Sequence, residues 1–498
     1  MKYDEERADM EPIVGNALSR EIDRCLMDEV GIPGIVLMEN AAFSVANAVI
    51  NSGHRGRIII IIGGRNNGGD GLAVMRILKL AGFESIGLLC CDEMRFSGDA
   101  LINYRIVQNM RLPLTHDMGV MKDAAIIVDA LFGTGLTREI TGIARNIVEY
   151  ANSCRAYRIA IDIPSGINGD TGEIMGTVFH ADETITVQYI KRGLLLTKER
   201  EAVGKISICR IGEMPESWIQ KLGKEELIDK AFVASLLPDR RLVCNKGDYG
   251  RSLIIAGSSG MSGAAVMAAS AALRAGSGLV NAYVPKGTAD AFCVRPEIMV
   301  NTDVGIMQLE TLIAKSSAIG IGCGSGNDPF LKEKLLAVLN SKKPCVIDAD
   351  ALNGLGEDGS ALLHENCVLT PHPGEMSRLL GISVAEVVGN PVDTARNYAA
   401  EHDCTLLLKS SVSVIASPKG CIRYNTSGNP GLAKGGSGDV LTGIITALLA
   451  QGLKPFDAAS VGAFLLGSSA NKALDLLKNR TLAAGDVIEA VSLAVIDD

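Results

Sequence analysis

The stretch Asn425-Thr-Ser-Gly-Asn-Pro-Gly-Leu-Ala-Lys-Gly-Gly-Ser-Gly-Asp439-Val-Leu-Thr-Gly443 constrains this chain more than any other. Glycines 435, 436 and 438 crowd in front of Asp439, directly before an apolar run at helical spacing (Val440, Leu441, Ile444, Ile445, Leu448, Leu449). A glycine-rich turn that opens a helix lets backbone N–H groups converge on an anion, and the helix dipole adds positive charge there. A carboxylate beside a bound phosphate is repelled unless it has a chemical task. The task that fits is general base, taking a proton from a hydroxyl while the N–H groups hold a transferring phosphoryl group. The plain alternative is a turn in which Asp439 is an early helix cap.

At 498 residues the chain is too long for one ordinary domain, and roughly two to four are expected. A hydrophobic content of 47% with 21% charged residues excludes disorder. The net charge of −9 argues against non-specific nucleic-acid or anionic-membrane binding. The twelve cysteines show no CxxC pair, no zinc-ligand spacing and no disulfide framework, as expected in a reducing cytoplasm. No apolar run approaches the ~20 residues of a membrane span, so no membrane association is expected.

The first 210 residues alternate strand-like and helix-like segments. Ile58–Ile62, Ala124–Val128 and Arg158–Ile161 read as buried strands, with helices over Leu72–Leu80 and Ala100–Met110 and a helical arm over 21–30 and 36–50. Such alternation predicts a parallel sheet covered on both faces, with ligands beyond the carboxyl ends of the strands. A break at 215–230 includes the charged stretch Lys221–Lys230, which has few sheet-like features. The α/β pattern then restarts with a strand at 252–256, a helix over 263–275, and strands at 318–321, 345–347, 367–369, 405–408 and 412–416.

The motifs lie at the ends of these strands. In the first half, Gly63-Gly-Arg-Asn66-Asn67-Gly68-Gly69-Asp70-Gly71 joins a strand to a helix and departs from the dinucleotide GxGxxG fingerprint. Two further loops begin at Asp129, running through Gly133-Thr134-Gly135, and at Asp162, running through Ser165-Gly166. Asn67, Asp129 and Ser165 offer oxygen ligands suited to a hard cation, although each aspartate alone reads equally as a strand-end cap. Lys191 reads as a phosphate contact or an ordinary surface lysine. In the second half, Gly257–Ala264, Gly320–Gly326, Asp348-Ala-Asp350, Thr370–Glu375 and Lys409–Ser413 follow successive strands, and His372 lies between two prolines.

Together these residues resemble the family of bifunctional nicotinamide-nucleotide repair enzymes, in which an NAD(P)HX epimerase is fused to an NAD(P)HX dehydratase. Asn66–Gly71, Gly133–Gly135 and Asp162–Gly166 resemble the epimerase motifs; Thr370–Glu375, Asn429–Gly431 and Gly435–Val440 resemble those of the dehydratase. The resemblance implies an N-terminal Rossmann-like parallel-sheet domain over residues 1–218 and a ribokinase-like α/β domain over 225–498. It implies epimerisation of R- and S-NADHX and NADPHX, and dehydration of the S form with ADP, releasing AMP and phosphate. By the same resemblance, Asn66, Asn67, Gly68, Gly69, Asp70, Gly133, Thr134, Gly135, Leu136, Thr137, Arg138, Glu139 and Asp162 hold the epimerase substrate, with Asp162 catalytic. Asn67, Asp129 and Ser165 are implied to bind K⁺. Ala264, Gly324, His372 and Asp439 are implied to contact the dehydratase substrate, with Asp439 catalytic. Lys409, Ser410, Ser411, Val412, Ser413 and Gly438 are implied to contact the nucleotide, with Mg²⁺ on its phosphates. A homo-oligomer is expected. Arg65, Ser410 and Ile321 depart from the residues usual in the family. Two other readings are a ribokinase-like small-alcohol or vitamin kinase fused to a ligand-binding Rossmann-like domain, and a non-enzymatic binding scaffold.

Overall fold

The computed structural model describes residues 10–237, 242–302, 305–478 and 481–493. It divides into two compact units, Pro12–Gly223 and a second from Lys224 onward that also takes in Met10 and Glu11.

In the first unit, the five isoleucines of β1 (Ile58–Ile62) are all buried, because helices cover both faces of the strand. The other strands of its main sheet are β2 (Ser85–Leu89), β3 (Leu114–Thr115), β4 (Ile126–Ala130), β5 (Tyr157–Ile161), β6 (Glu183–Val187) and β7 (Lys205–Cys209). Their order is β3-β2-β1-β4-β5-β6-β7, and every pair is parallel. The winding reverses between β1 and β4, so a crevice forms beyond their carboxyl ends. The loops after β1, β4 and β5 are the three that carry the motifs. This is a Rossmann-like arrangement.

The helix expected over Leu72–Leu80 begins earlier and spans Asn66–Leu80, so the glycine motif is its opening turns rather than a loop. Close packing explains the glycines. A Cβ on Gly68 would lie 1.7 Å from the Gly63 carbonyl oxygen, and one on Gly71 would lie 2.6 Å from the Ala130 Cβ. The helical arm is likewise longer than expected, at Asn16–Asp28 and Gly34–Asn51. Among the described residues, Gly34–Asn51 is long and apolar enough by length and composition to cross a membrane, contrary to the sequence expectation. Its Leu37, Ala41, Val45 and Val49 instead pack into the core of this unit.

The strands of the second unit are β8 (Glu225–Leu227), β9 (Arg251–Ile255), β10 (Leu279–Val284), β11 (Met299–Thr302), β12 (Ala318–Ile321), β13 (Cys345–Ile347), β14 (Cys367–Leu369), β15 (Thr405–Leu408), β16 (Ser413–Ala416) and β17 (Ile422–Asn425). They run in the order β11-β10-β9-β12-β13-β14-β15-β16-β17-β8. Only the β15–β16 and β16–β17 pairs are antiparallel. Strand β8 lies inside the charged stretch that showed few sheet-like features; its charged side chains are paired, Glu225 with Arg396 at 2.6 Å and Glu226 with Arg423 at 3.5 Å. The helix Ser437–Ala450 is buried at every residue from Val440 to Ala450. A helix apolar all round belongs at the centre of a fold. It lies so close to the helix Ser262–Arg274 that a Cβ on Gly443 would sit 2.0 Å from the Ala268 carbonyl oxygen. Asp439 is therefore mounted on the most enclosed helix of the unit.

Candidate active sites

In the second unit, β13, β14 and β15 end in Asp348, the Thr370–Glu375 turn and Lys409, which meet the Gly435–Asp439 turn around a cavity of about 480 Å³. Gly436 is the N-cap, at φ +99°, a left-handed conformation that favours glycine. Lys409 donates to Asp348 at 2.7 Å, and Asp348, almost fully buried, also accepts from Thr442 at 2.9 Å. A Cβ on Gly438 would lie 3.5 Å from an Asp348 oxygen and 3.6 Å from Lys409 Nζ. The glycine turn thus brings its N–H groups against a fixed ammonium. Burial pulls the Lys409 pKa down, but Asp348 and Glu375 outweigh it and hold the ammonium above its ordinary range.

Asp439 is not a cap. Gly436 supplies no side chain to the helix end, and the Cys323 thiol stands against the Asp439 carboxylate. Burial pushes Asp439 up to about 6, with Asp348 and Asp350 adding to the rise and Cys323 and Lys409 opposing it. A carboxylate with that pKa is a better base than an ordinary aspartate and is still ionised at neutral pH.

His372 is the N-cap of the helix Pro373–Leu380. Its Nδ1 accepts from the N–H groups of Gly374 (3.0 Å) and Glu375 (3.3 Å), while Glu375 accepts from the His372 N–H at 2.8 Å. With Nδ1 committed as acceptor, Nε2 carries the proton, 3.5 Å from Glu375 Oε1. Ser410, Ser411, Ser413 and Gly438 line the cavity with His372, Lys409 and Asp439. The Val412 side chain turns inward instead and is buried. Ala264 and Gly324 stand against each other beside Cys323, where a Cβ on Gly324 would lie 2.6 Å from that of Ala264. Asp348, Glu375 and Cys323 are the residues to which no role was given from sequence. Their strand-end positions were the available signal for the first two.

In the first unit, the loops after β1, β4 and β5 converge. A Cβ on Gly133 would be 3.4 Å from an Asp162 carboxylate oxygen and 3.6 Å from the Asn67 side chain. Asp129 has no exposed surface; it accepts from Ser165 N (2.7 Å), Ser165 Oγ (2.8 Å) and Leu131 N (3.1 Å). Burial still pushes its pKa up to about 6 against those three hydrogen bonds. The Asn67 amide nitrogen beside this group is buried without a hydrogen-bond partner. A hard cation would take only the oxygen atoms of this group, the Asp129 carboxylate and the Ser165 hydroxyl with the Asn67 amide oxygen, since the amide nitrogen is a donor. In the Gly133–Glu139 loop, Leu136 is buried and anchors the segment, whereas Gly135, Thr137, Arg138 and Glu139 are exposed.

Lys191 is not a surface lysine. It is 1% exposed, and its ammonium donates to Asp162 and to the Val187 carbonyl. Asp162 itself stands at φ +68°, where its carboxylate also accepts from the Val187 N–H. Asp70 and Asp23 complete the group. Burial raises the Asp70 pKa well above the carboxylate range, with Asp162 and Asp23 adding repulsion. Burial likewise raises Asp23 to about 6, opposed by Lys191. Burial thus disfavours the charged forms of Asp70 and Asp23 beside the Lys191–Asp162 pair.

Residues 252–491 match the family described as NAD(P)H-hydrate dehydratase, and residues 34–193 match that described as YjeF-related protein N-terminus. The bifunctional NAD(P)H-hydrate repair enzyme Nnr of Moorella thermoacetica is 38% identical over 500 residues, covering 94% of each chain. Its namesake from Coxiella burnetii is 34% identical over 484 residues, covering 96% of this chain and 98% of its own. Among solved structures, a ribokinase-like superfamily protein from Enterococcus faecalis is similar with a TM-score of 0.50 and 26% identity. That likeness covers 55% of this chain and 95% of the other.

Proposed function

The chain belongs to the family of bifunctional NAD(P)H-hydrate repair enzymes, and from that premise we propose how its residues divide the epimerase and dehydratase reactions. The observation that carries the dehydratase reading is Asp439, raised to about 6 and uncapped, facing the Lys409–Asp348 pair across the glycine turn. The S-hydrate enters with its C6 hydroxyl toward Asp439, and His372 Nε2–H donates to the substrate. Asp439 takes the hydroxyl proton as the oxygen attacks the terminal phosphorus of the nucleotide. The N–H groups of Gly436, Ser437 and Gly438, with Lys409, hold the transferring phosphoryl group. The C6–O bond then breaks, phosphate leaves with the electron pair, the adjacent C5 proton is lost, and the ring double bond returns.

Lys409, Ser410, Ser411 and Ser413 face the nucleotide, and Val412 supports them from below. Mg²⁺ suits the oxygen donors of the cavity, the Glu375 carboxylate and the serine hydroxyls, and when bound it neutralises the phosphates. The fused arrangement of the two units supports ADP as donor, with AMP and phosphate as products. Initial rates with ADP and ATP test this, and a clear preference for ATP overturns it. The twelve free cysteines support a cytoplasmic location.

In the first unit, Asn66 to Asp70 and Gly133 to Glu139 border the hydrate. Asp162 moves the proton needed at the epimerised carbon, beside Asp70, whose burial disfavours its charged form. K⁺ would be held by Asn67, Asp129 and Ser165, and when bound it supplies positive charge next to the substrate loop. The Asp129 pKa of about 6 lies above the ordinary carboxylate value of 3.8. The protonated group therefore favours the fold below that ordinary value, and the contribution is lost as pH rises through about 6. The difference is worth about 2–3 kcal/mol. We expect K⁺ to raise the melting temperature at about pH 8 but hardly at about pH 5, and Asp129→Asn to abolish the difference. An equal K⁺ effect at both pH values contradicts the assignment.

A further inference from the structure

The carboxyl ends of β13, β14 and β15 carry the dehydratase site, and the opposite ends of β13 and β14 carry a different cluster. Cys345 and Cys367 are register partners on these adjacent parallel strands, and both are fully buried. Their Sγ atoms lie 3.6 Å apart. His364 stands in the turn that leads into β14, where its carbonyl accepts from the Cys367 N–H at 2.8 Å. A ligand atom of His364 and the two sulfur atoms all lie within 4.8 Å of one another.

Two observations ask for an occupant. His364 Nδ1 accepts from the Asn366 N–H at 3.3 Å, but Nε2 is buried with no hydrogen-bond partner. Such a buried nitrogen is costly and uncommon, and an ion is one of its ordinary explanations. The sulfur separation also matches a shared metal. Two thiolates on one tetrahedral zinc, each about 2.3 Å from it, stand about 3.8 Å apart.

We propose that Cys345, Cys367 and His364 bind a thiophilic divalent cation of the zinc class. The donor set is two soft thiolates and one imidazole, which selects such an ion over the hard cations of the two active sites. Three protein ligands leave a fourth position for water on the side of His364, which is half-buried. On binding, the cation displaces the thiol protons and replaces the S–H contact between the sulfur atoms. The ion would staple β13 to β14 at the end remote from Asp348 and His372.

The test uses the full chain, reduced, stripped with a chelator and titrated with Co²⁺. One equivalent should produce a sulfur-to-cobalt charge-transfer band with intense tetrahedral d–d absorption, and Zn²⁺ should displace both. Cys345→Ser and His364→Ala should each weaken binding at least about tenfold, whereas Cys244→Ser, at an exposed thiol, should leave it unchanged. If Cys345→Ser fails to fold, His364→Ala decides, because that residue lies in a turn outside the strands. Absence of the band at one equivalent, or an undiminished band in either variant, overturns the proposal. Peptide mapping that finds a Cys345–Cys367 disulfide in protein isolated under reductant also overturns it.

Discussion

Asp439→Asn is expected to lower dehydration of the S-hydrate by about 10²–10⁴-fold, the range that a positioned base supplies. The substitution keeps the size of the side chain but cannot take the hydroxyl proton. The helix should still form, because Gly436 rather than Asp439 occupies its N-cap and the residues beyond are packed on all sides. Nucleotide should still bind, since Lys409 and the turn N–H groups are untouched. The wild-type rate carries an independent signature. The base must be ionised, so with its pKa raised to about 6 the rate should fall as pH drops through that value. An ordinary carboxylate would hold its rate to a lower pH. In the variant this acid limb should be missing. Near-wild-type turnover, or an unchanged acid limb, would remove Asp439 from the chemistry.

Asp162→Asn should reduce R-to-S conversion by a comparable ~10²–10⁴-fold while dehydration of pre-formed S-hydrate continues. Asparagine preserves an acceptor for Lys191 and the Val187 N–H. Asp162→Ala is a harsher change, because it removes the carboxylate bonded to an ammonium that is 1% exposed. Breaking a buried pair in this way costs about 3–5 kcal/mol. The alanine variant should therefore also melt its own unit at lower temperature, which differential scanning calorimetry would register. Epimer ratios measured by chromatography check the first effect. Loss of both activities from a natively folded Asn variant would mean that one site performs both reactions.

The elements that mount the motifs were legible because they rest on local chemistry. The Ile58–Ile62 run can only be a doubly covered strand, and the glycines before Asp439 can only open a helix with bare N–H groups. What stayed hidden depends on distance along the chain. Lys191 meets Asp162 from 29 residues away, and Lys409 meets Asp348 from 61. A lone lysine has no periodicity that announces a buried partner. Strands β10 and β11 went unread because Asn281 and Asn301 interrupt their apolar pattern; in the fold the two amides are neighbours, 3.4 Å apart. The Cys345–Cys367 pair was invisible to any spacing rule, since only strand register brings the two sulfurs together. Glycines 68, 69 and 71 were read as loop glycines, yet the absent side chain of Gly71 admits the helix against Ala130 and Ile60 of two strands, and that of Gly69 admits the helices that carry Met38 and Ala100.

The most direct test of the account follows reduced-nicotinamide absorbance after the protein is added to mixed R- and S-NADHX with ADP and Mg²⁺. Absorbance should recover from both epimers, with one inorganic phosphate per NADH restored and no recovery when nucleotide is omitted. Accumulation of a stable phosphorylated product with no gain in absorbance would contradict it, and would make the second unit a small-alcohol kinase instead.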